Sequence, residues 1–173
     1  AAAPCPLLLL SDDVLEVVGH QISDALHPAV AVALAACNHN LWRVMRAPLA
    51  QLQPRHAAAR ALAAKVFSSC AELRDATLLN WSSLLLDAAD MATLAMLFST
   101  GALARVEELF LGSIPLGPAG GSALLAGVNC GDAPRLKFLN LENTDLGDEG
   151  AASLAAALSR GALPKLEVLL FSG

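Results

Sequence analysis

This 173-residue chain is poor in aromatic residues and lacks long apolar runs and a leader-like N-terminus. It has no tyrosine, and aromatics make up 4% of it, so its hydrophobic content of 55% is mainly Leu, Ala and Val. This composition suits tightly packed units with small residues where backbones approach. The longest apolar candidate, Ala29 to Cys37, has about nine residues, whereas a membrane-spanning helix needs about 20. We therefore predict no membrane span.

The N-terminus also lacks the positive charge of a signal peptide between Ala1 and Pro6. We expect an intracellular protein, cytoplasmic or nuclear. The chain does not begin with Met, and it stops at Gly173 just after a predicted fourth strand. We expect it to be incomplete at both ends, which leaves an organelle location open.

Motifs of catalysis, cofactor binding and metal binding are absent. The sequence contains no GxGxxG, GxxxxGK, HExxH or GxSxG. None of its four cysteines forms a CxxC pair, and its four histidines do not pair at metal-ligand spacing. These residues are Cys5, Cys37, Cys70 and Cys130, and His20, His27, His39 and His56. We interpret the cysteines as reduced, buried thiols, and we predict no catalytic residues, no cofactor and no metal.

Charge is unevenly distributed along the chain. The net charge of −5 argues against nucleic acid as a partner. No acidic residue occurs between Asp24 and Glu72, although that stretch carries five basic residues. These are Arg43, Arg46, Arg55, Arg60 and Lys65. The basic stretch is either a solvated helix face opposite an apolar stripe or a docking surface for an acidic partner.

What the sequence does contain is a repeat of 30 residues without gaps. Three apolar columns keep this step: Val106, Leu136 and Leu166; Leu109, Leu139 and Leu169; Leu111, Leu141 and Phe171. A weaker first copy has Ala76, Leu79 and Trp81. One such unit cannot bury its own apolar face, so a fixed period of this length predicts a stacked solenoid. Solenoids mostly bind other macromolecules.

Each repeat has the pattern of a strand, a turn and a helix. Leu139 and Leu141 alternate with polar or outward neighbours, as in a half-buried strand. Leucines four apart follow, as in Leu154 and Leu158. We predict parallel neighbouring strands at 77–81, 107–111, 137–141 and 167–171, and helices near 88–100, 118–129 and 147–159. The glycine-rich run from 117 to 121 falls at a turn-to-helix junction.

The pattern L-x-x-L-x-L-x-x-N-x-L followed by a helix resembles the leucine-rich repeat of the ribonuclease-inhibitor type, over residues 76 to 173. The resemblance implies an α/β fold, a right-handed solenoid of about three and a half repeats with strands on the concave side and helices on the convex side. The family's Asn or Cys position holds Leu84, Ile114 and Thr144 here. The usual side-chain bond to the turn is therefore absent or replaced by the Thr144 hydroxyl.

In such a solenoid, alternate strand positions line the concave face, where partners bind. The predicted partner-binding residues are Leu78, Asn80, Glu108, Phe110, Phe138, Asn140, Glu142, Val168 and Leu170. Phe110, Phe138, Val168 and Leu170 are expected to form an exposed apolar patch. Such a patch usually marks a contact site. The alternative is that parts of the protein beyond this chain cover it.

Residues 7–75 lack the repeat and are predicted to be helical, with a long helix from Arg55 to Leu73. Residues 10–42 resemble an F-box, which docks a Skp-type adaptor of cullin ubiquitin ligases. The match runs Leu10-Ser-Asp-Asp-Val-Leu-Glu-Val-Val-Gly-His-Gln-Ile22, then His27-Pro28, Cys37 and Trp42. The resemblance implies adaptor docking through Leu10, Val14, Leu15, Val18, Ile22 and Trp42. The alternative is a plain helical cap on the open end of the solenoid.

These patterns predict a protein–protein interaction module and not an enzyme. Its sharper form is the substrate-receptor part of a cullin-type ubiquitin ligase, in which the N-terminal helices dock the adaptor and the repeats hold the substrate. The alternative is a structural scaffold or linker subunit of a larger assembly, with no ubiquitin role.

Overall fold

The chain divides into two compact units, Ala1–Ala57 and Ala58–Gly173. The structure is a computed structural model that describes residues 28–29, 31–33, 39–128 and 132–172. The division lies earlier than the domain boundary that we predicted, between residues 75 and 76. The predicted domain bounds, 7–75 and 76–173, stay a prediction.

The described part of the first unit is helical. Residues 31–33 are helical, and helix α1 (His39–Lys65) begins in this unit and continues into the second. Ala31 and Leu52 are buried, and Leu49 packs against them. Leu41 lies in the first turn of α1.

A single helix from Arg55 to Leu73 was predicted, and this prediction is wrong. Helix α1 ends at Lys65. Phe67 has a left-handed φ of 54°, and the chain turns there. The turn closes α1 because backbone N–H groups beyond the helix still find carbonyl partners: Phe67 N donates to Ala64 O at 3.3 Å, and Ser68 N donates to Ala63 O at 2.9 Å.

Helix α2 (Cys70–Asp75) restarts after this turn because the sequence supplies a capping box. The Ser69 side chain accepts a hydrogen bond from Glu72 N at 3.2 Å, and the Glu72 carboxylate accepts one from Ser69 N at 2.8 Å. The backbone N–H of Ser69 favours the ionised carboxylate and is the main reason why the pKa of Glu72 is lowered, and the hydroxyls of Ser69 and Ser68 add to this effect. Leu73 turns inward and is buried.

The second unit contains a four-stranded parallel sheet in the order of the sequence. Its strands are β1 (Leu78–Asn80), β2 (Glu108–Phe110), β3 (Phe138–Glu142) and β4 (Val168–Ser172). The register pairs residues that are 30 apart, so Leu79, Leu109, Leu139 and Leu169 form one row across the sheet. The predicted strands and their neighbours are confirmed, although β1 and β2 are shorter than predicted.

Helices follow the first three strands, which confirms the predicted α/β class. These are α3 (Ala88–Ser99), α4 (Gly117–Gly127) and α5 (Gly147–Ser159). Gly117 has a φ of 63°, and Pro118 occupies the first turn of α4. The glycine-rich run therefore lies at the turn-to-helix junction, as the repeat phase predicted.

The core lies between these helices and one face of the sheet. Phe98 of α3, Leu124 of α4 and Ala157 of α5 line a cavity of about 20 Å³ together with Leu109 and Leu139. The cavity has room for about one water molecule, but its apolar walls offer a water no hydrogen-bond partners. The helices therefore cover the sheet face that carries the leucine row.

One turn of the repeat is held by a buried hydroxyl. Thr144 is 1% exposed, and its Oγ1 donates a hydrogen bond to Leu141 O at 2.7 Å. Of the two alternatives that the sequence left open at this position, the structure has the Thr144 hydroxyl bonded to the turn backbone. The equivalent Ile114 is fully buried and contributes packing alone.

Candidate functional site

The alternation along β1, β2 and β3 separates the core from a second, solvent-contacting face of the sheet. In β3 the pattern is regular: Leu139 and Leu141 are buried, while Phe138, Asn140 and Glu142 are half-buried. We call the twelve side-chain positions on this second side the outward face. They are Leu78, Asn80, Ser82, Glu108, Phe110, Gly112, Phe138, Asn140, Glu142, Val168, Leu170 and Ser172. The nine predicted partner-binding residues all lie on this face, and each of them is exposed or half-buried.

An aromatic pair occupies the middle of the outward face. The rings of Phe110 and Phe138 have centroids 4.8 Å apart and an interplanar angle of 32°. Phe138 opposes Glu108 in the register, so the two rings meet diagonally across β2 and β3. Tilted rings at this separation attract each other, and the pair is held in place while remaining partly open to solvent.

Aliphatic side chains extend the apolar surface on both sides of this pair. Leu78 of β1 is 50% exposed and Val168 of β4 is 42% exposed. Both stand in the same row as Phe138, because the register pairs Leu78 with Glu108, Glu108 with Phe138, and Phe138 with Val168. Leu170 is half-buried beside Asn140. The expected apolar patch is therefore present on adjoining strands.

A polar cluster forms where the outward face meets the turn after β3. Asn140 Oδ1 accepts a hydrogen bond from Glu142 N at 2.8 Å, and Asn140 Nδ2 donates one to Glu142 Oε2 at 3.4 Å. Gly112 makes room for this amide, since a Cβ at that position would lie 3.0 Å from Asn140 Oδ1. The Glu142 carboxylate is thus oriented by its neighbour.

A similar hydrogen bond from an Asn side chain to the backbone occurs in the repeat that precedes Gly112. Asn80 Oδ1 accepts a hydrogen bond from Ser82 N at 3.2 Å. Asn80 and Asn140 occupy the same column two repeats apart, and each amide oxygen satisfies the backbone N–H two residues later. The Asn140 amide in addition donates a hydrogen bond to a carboxylate, that of Glu142.

The charge on the outward face is acidic. Glu108 and Glu142 are its two ionisable residues, and none of its twelve positions carries Lys, Arg or His. Glu142 lies four residues beyond Phe138, the residue that pairs with Glu108. With about 3.3 Å per residue and about 4.8 Å between strands, their Cα atoms are about 14 Å apart. The aromatic pair lies between them.

Ion pairs between successive repeats border the sheet just before the strands begin. Lys137 Nζ donates to Glu107 Oε2 at 2.7 Å, across one repeat. This hydrogen bond is the main reason why the pKa of Glu107 is lowered and that of Lys137 is raised. Arg105 reaches Asp75 in the same way, at 3.2 Å. In each of these exposed ion pairs the positive and negative charges cancel, so the pairs do not change the acidic character of the outward face.

The side chains of the six predicted adaptor-docking residues all lie outside the described part of the chain. Leu10, Val14, Leu15, Val18 and Ile22 lie outside the described residues. The backbone of Trp42 belongs to α1, but its side chain is not among the described ones. The F-box-like docking surface therefore stays a prediction.

The cysteine prediction is only partly addressed, because Cys5, Cys37 and Cys130 lie outside the described residues. Cys70, at the start of α2, is half-buried.

Across residues 28–29, 31–33, 39–128 and 132–172, no three His, Cys, Asp or Glu side chains come together in a way that could hold a metal ion. No helix in that part of the chain has both the length and the apolar content to span a membrane.

Two features of the outward face were missed from sequence. One is the Asn140–Glu142 contact over Gly112, and the other is the acidic balance around the aromatic pair. The recurrence of Asn two repeats apart, with Gly in the neighbouring column between them, is the signal that could have revealed the first.

No family model, no curated protein and no solved structure matches the chain.

Proposed function

We propose that the second unit is a leucine-rich-repeat solenoid whose outward face recognises another protein. The gapless register, the leucine row, in which Leu79, Leu109 and Leu139 are buried, and the helices packed on one side of the sheet support the solenoid. The half-open aromatic pair Phe110–Phe138 carries the functional part of the proposal. These two rings pack against each other outside the core, on the solvent-contacting face of the sheet, so they are available to bind a partner.

The chemistry of the face fits a protein partner. Binding energy at protein interfaces is concentrated in a few anchors, among which aromatic side chains are common. Phe138 pairs with Val168 in the register and its ring meets that of Phe110, so these three apolar side chains adjoin one another, whereas single apolar residues scattered over a surface are ordinary. A rim of polar groups, such as Asn140 and Glu142, would then fix the orientation of the partner.

The narrower function, a substrate receptor of a cullin-type ubiquitin ligase, is a separate proposal. It depends on the F-box-like segment at residues 10–42, most of which lies outside the described residues. A structural scaffold or linker subunit is the alternative, and it would use the same outward face. The two differ in whether a Skp-type adaptor binds.

Affinity purification with matched variants tests the proposal. The double change Phe110→Ser, Phe138→Ser removes the aromatic pair. The control Leu158→Ser removes an apolar side chain that is 41% exposed on α5. We expect proteins that co-purify with the unmodified chain and with the control, and that are lost with the double variant. The proposal fails if the double variant retains the same proteins as the unmodified chain.

A further inference from the structure

The outward face has a charge pattern that restricts what its partner can be. Glu108 is exposed at the beginning of β2, and Glu142 is half-buried at the end of β3. Neither carboxylate makes an ion pair with Lys, Arg or His among the described contacts, unlike Glu107, which binds Lys137. Both carboxylates are therefore available to a cationic group of a partner.

The two carboxylates stand on either side of the aromatic pair, about 14 Å apart by strand geometry. An apolar segment lying on Phe110 and Phe138 would necessarily pass close to both. A partner with acidic residues beside its apolar anchor would be repelled, because like charges in contact at an interface oppose binding. A partner with uncharged flanks would leave both carboxylates partly desolvated without compensation.

The Glu142 end is the better organised of the two. The Asn140 amide binds both the backbone N–H and the carboxylate of Glu142, and it fits closely against Gly112, which has no Cβ. A carboxylate that is already oriented loses little side-chain freedom when a cation binds. Arg or Lys can donate several hydrogen bonds to such an acceptor.

We propose that the outward face binds a basic–apolar protein segment. An apolar side chain of the segment packs on Phe110 and Phe138, one Lys or Arg binds Glu142 beside Asn140, and a second Lys or Arg binds Glu108. In an extended segment a spacing of about four residues between the two cations matches the separation of the carboxylates. This inference rests on the proposed function and gives its partner a chemical class.

Selection from a phage-displayed library of random dodecapeptides tests the inference directly. The full chain is the bait, and Leu158→Ser and Phe110→Ser, Phe138→Ser are parallel baits. We expect peptides that bind the first two baits and not the third, and that carry Lys or Arg on both sides of an aromatic or aliphatic residue. Synthetic copies should lose affinity as the salt concentration rises, because exposed charge pairs are screened.

A charge-neutral variant then assigns the cations to their sites. Glu108→Gln, Glu142→Gln should weaken the synthetic peptides at least about tenfold, the loss that about 1.4 kcal/mol produces. Glu149→Gln removes one exposed carboxylate on α5 and should leave affinity unchanged.

Each outcome of these measurements decides one claim. The basic–apolar inference is overturned if the peptides depend on the two phenylalanines but lack basic residues. It is also overturned if they bind the Glu108→Gln, Glu142→Gln variant as tightly as the unmodified chain. In both cases the proposed function still stands. If no selected peptide depends on the phenylalanines, both the inference and the proposed function fall.

Discussion

At the scale of single residues, Phe67 stands out because its conformation does not suit its type. Its φ is 54°, and its side chain is 90% exposed, so no packing compensates for the left-handed backbone. The same two hydrogen bonds that close α1 there also close α3 at Gly101 and α5 at Gly161. At those two helix ends the left-handed residue is glycine, as is usual for this motif.

We predict that Phe67→Gly raises the free energy of unfolding by about 1 kcal/mol, because a left-handed conformation strains residues with a Cβ and does not strain glycine. Gly101→Ala should lower it by a similar amount, since a Cβ at Gly101 meets no other atom and adds only backbone strain. Urea unfolding of both variants measures this. A decrease in stability for Phe67→Gly would mean that the ring contributes contacts which its exposure hides.

At the scale of elements, the end of α1 and the beginning of α3 are joined by charge. Lys65 Nζ lies 2.6 Å from Asp90 Oδ2 and 3.2 Å from Asp87 Oδ2. Asp87 also caps α3, because its side chain accepts a hydrogen bond from Asp90 N at 2.9 Å. The pKa of Asp87 is lowered first by that backbone N–H and then by Lys65, while the pKa of Lys65 is raised, chiefly by Asp90.

We therefore predict that the stability contributed by Asp87 depends on pH. Because its folded-state pKa is below the ordinary value near 3.8, the contribution is present above that value and is lost as pH falls through the folded-state pKa. Asp87→Ala should lower the urea midpoint at neutral pH, and the difference from the unmodified chain should narrow between about pH 5 and about pH 2.

Asp87→Asn is the matched control, since an amide oxygen can still cap a helix but carries no charge. Its urea midpoint at neutral pH should lie between those of the unmodified chain and Asp87→Ala. A difference between Asp87→Ala and the unmodified chain that stays the same across this pH range would show that the charge of Asp87 contributes nothing.

Elements were predictable where periodicity decides them. The strands and helices from Leu78 onward follow from a 30-residue phase, because stacked repeats must align equivalent residues. The break after Lys65 did not follow, since nothing about a phenylalanine indicates a left-handed turn. The sequence Ser69-x-x-Glu72 did signal a new helix start, and the apolar spacing of residues 62 to 73 concealed it.

The candidate site was predictable in its membership and not in its contacts. Alternation within a strand is enough to assign Phe110 and Phe138 to the outward face. The contact between their rings depends on side-chain rotamers, and the hydrogen bonds from Asn140 to Glu142 depend on the absence of a Cβ at Gly112. Such details arise from three-dimensional neighbours that a column of residues does not specify.

At the scale of the whole molecule, the N-terminal segment decides between the ubiquitin-ligase and scaffold proposals. If residues 10–42 form an F-box, Val14→Asp, Leu15→Asp should abolish co-purification with a Skp-type adaptor, because two carboxylates would be buried without partners. Leu85→Asp places one carboxylate at a residue that is 90% exposed in the second unit and should leave adaptor binding intact. Failure of the unmodified chain to retain the adaptor would end the ubiquitin-ligase proposal.

Each of the first three strands gives one set of side chains to the core, and the alternate set lies on the outward face, for which we propose recognition. Comparing the denaturant midpoints of Leu139→Ala and Phe138→Ala tests this most directly, because the two residues are adjacent in the chain. Leu139 is 2% exposed, so its truncation should destabilise the chain by about 2–5 kcal/mol. Phe138→Ala should lower the midpoint much less, since Phe138 remains half-open to solvent. If Phe138→Ala is the more damaging change, the assignment of the two faces is reversed and the account is wrong.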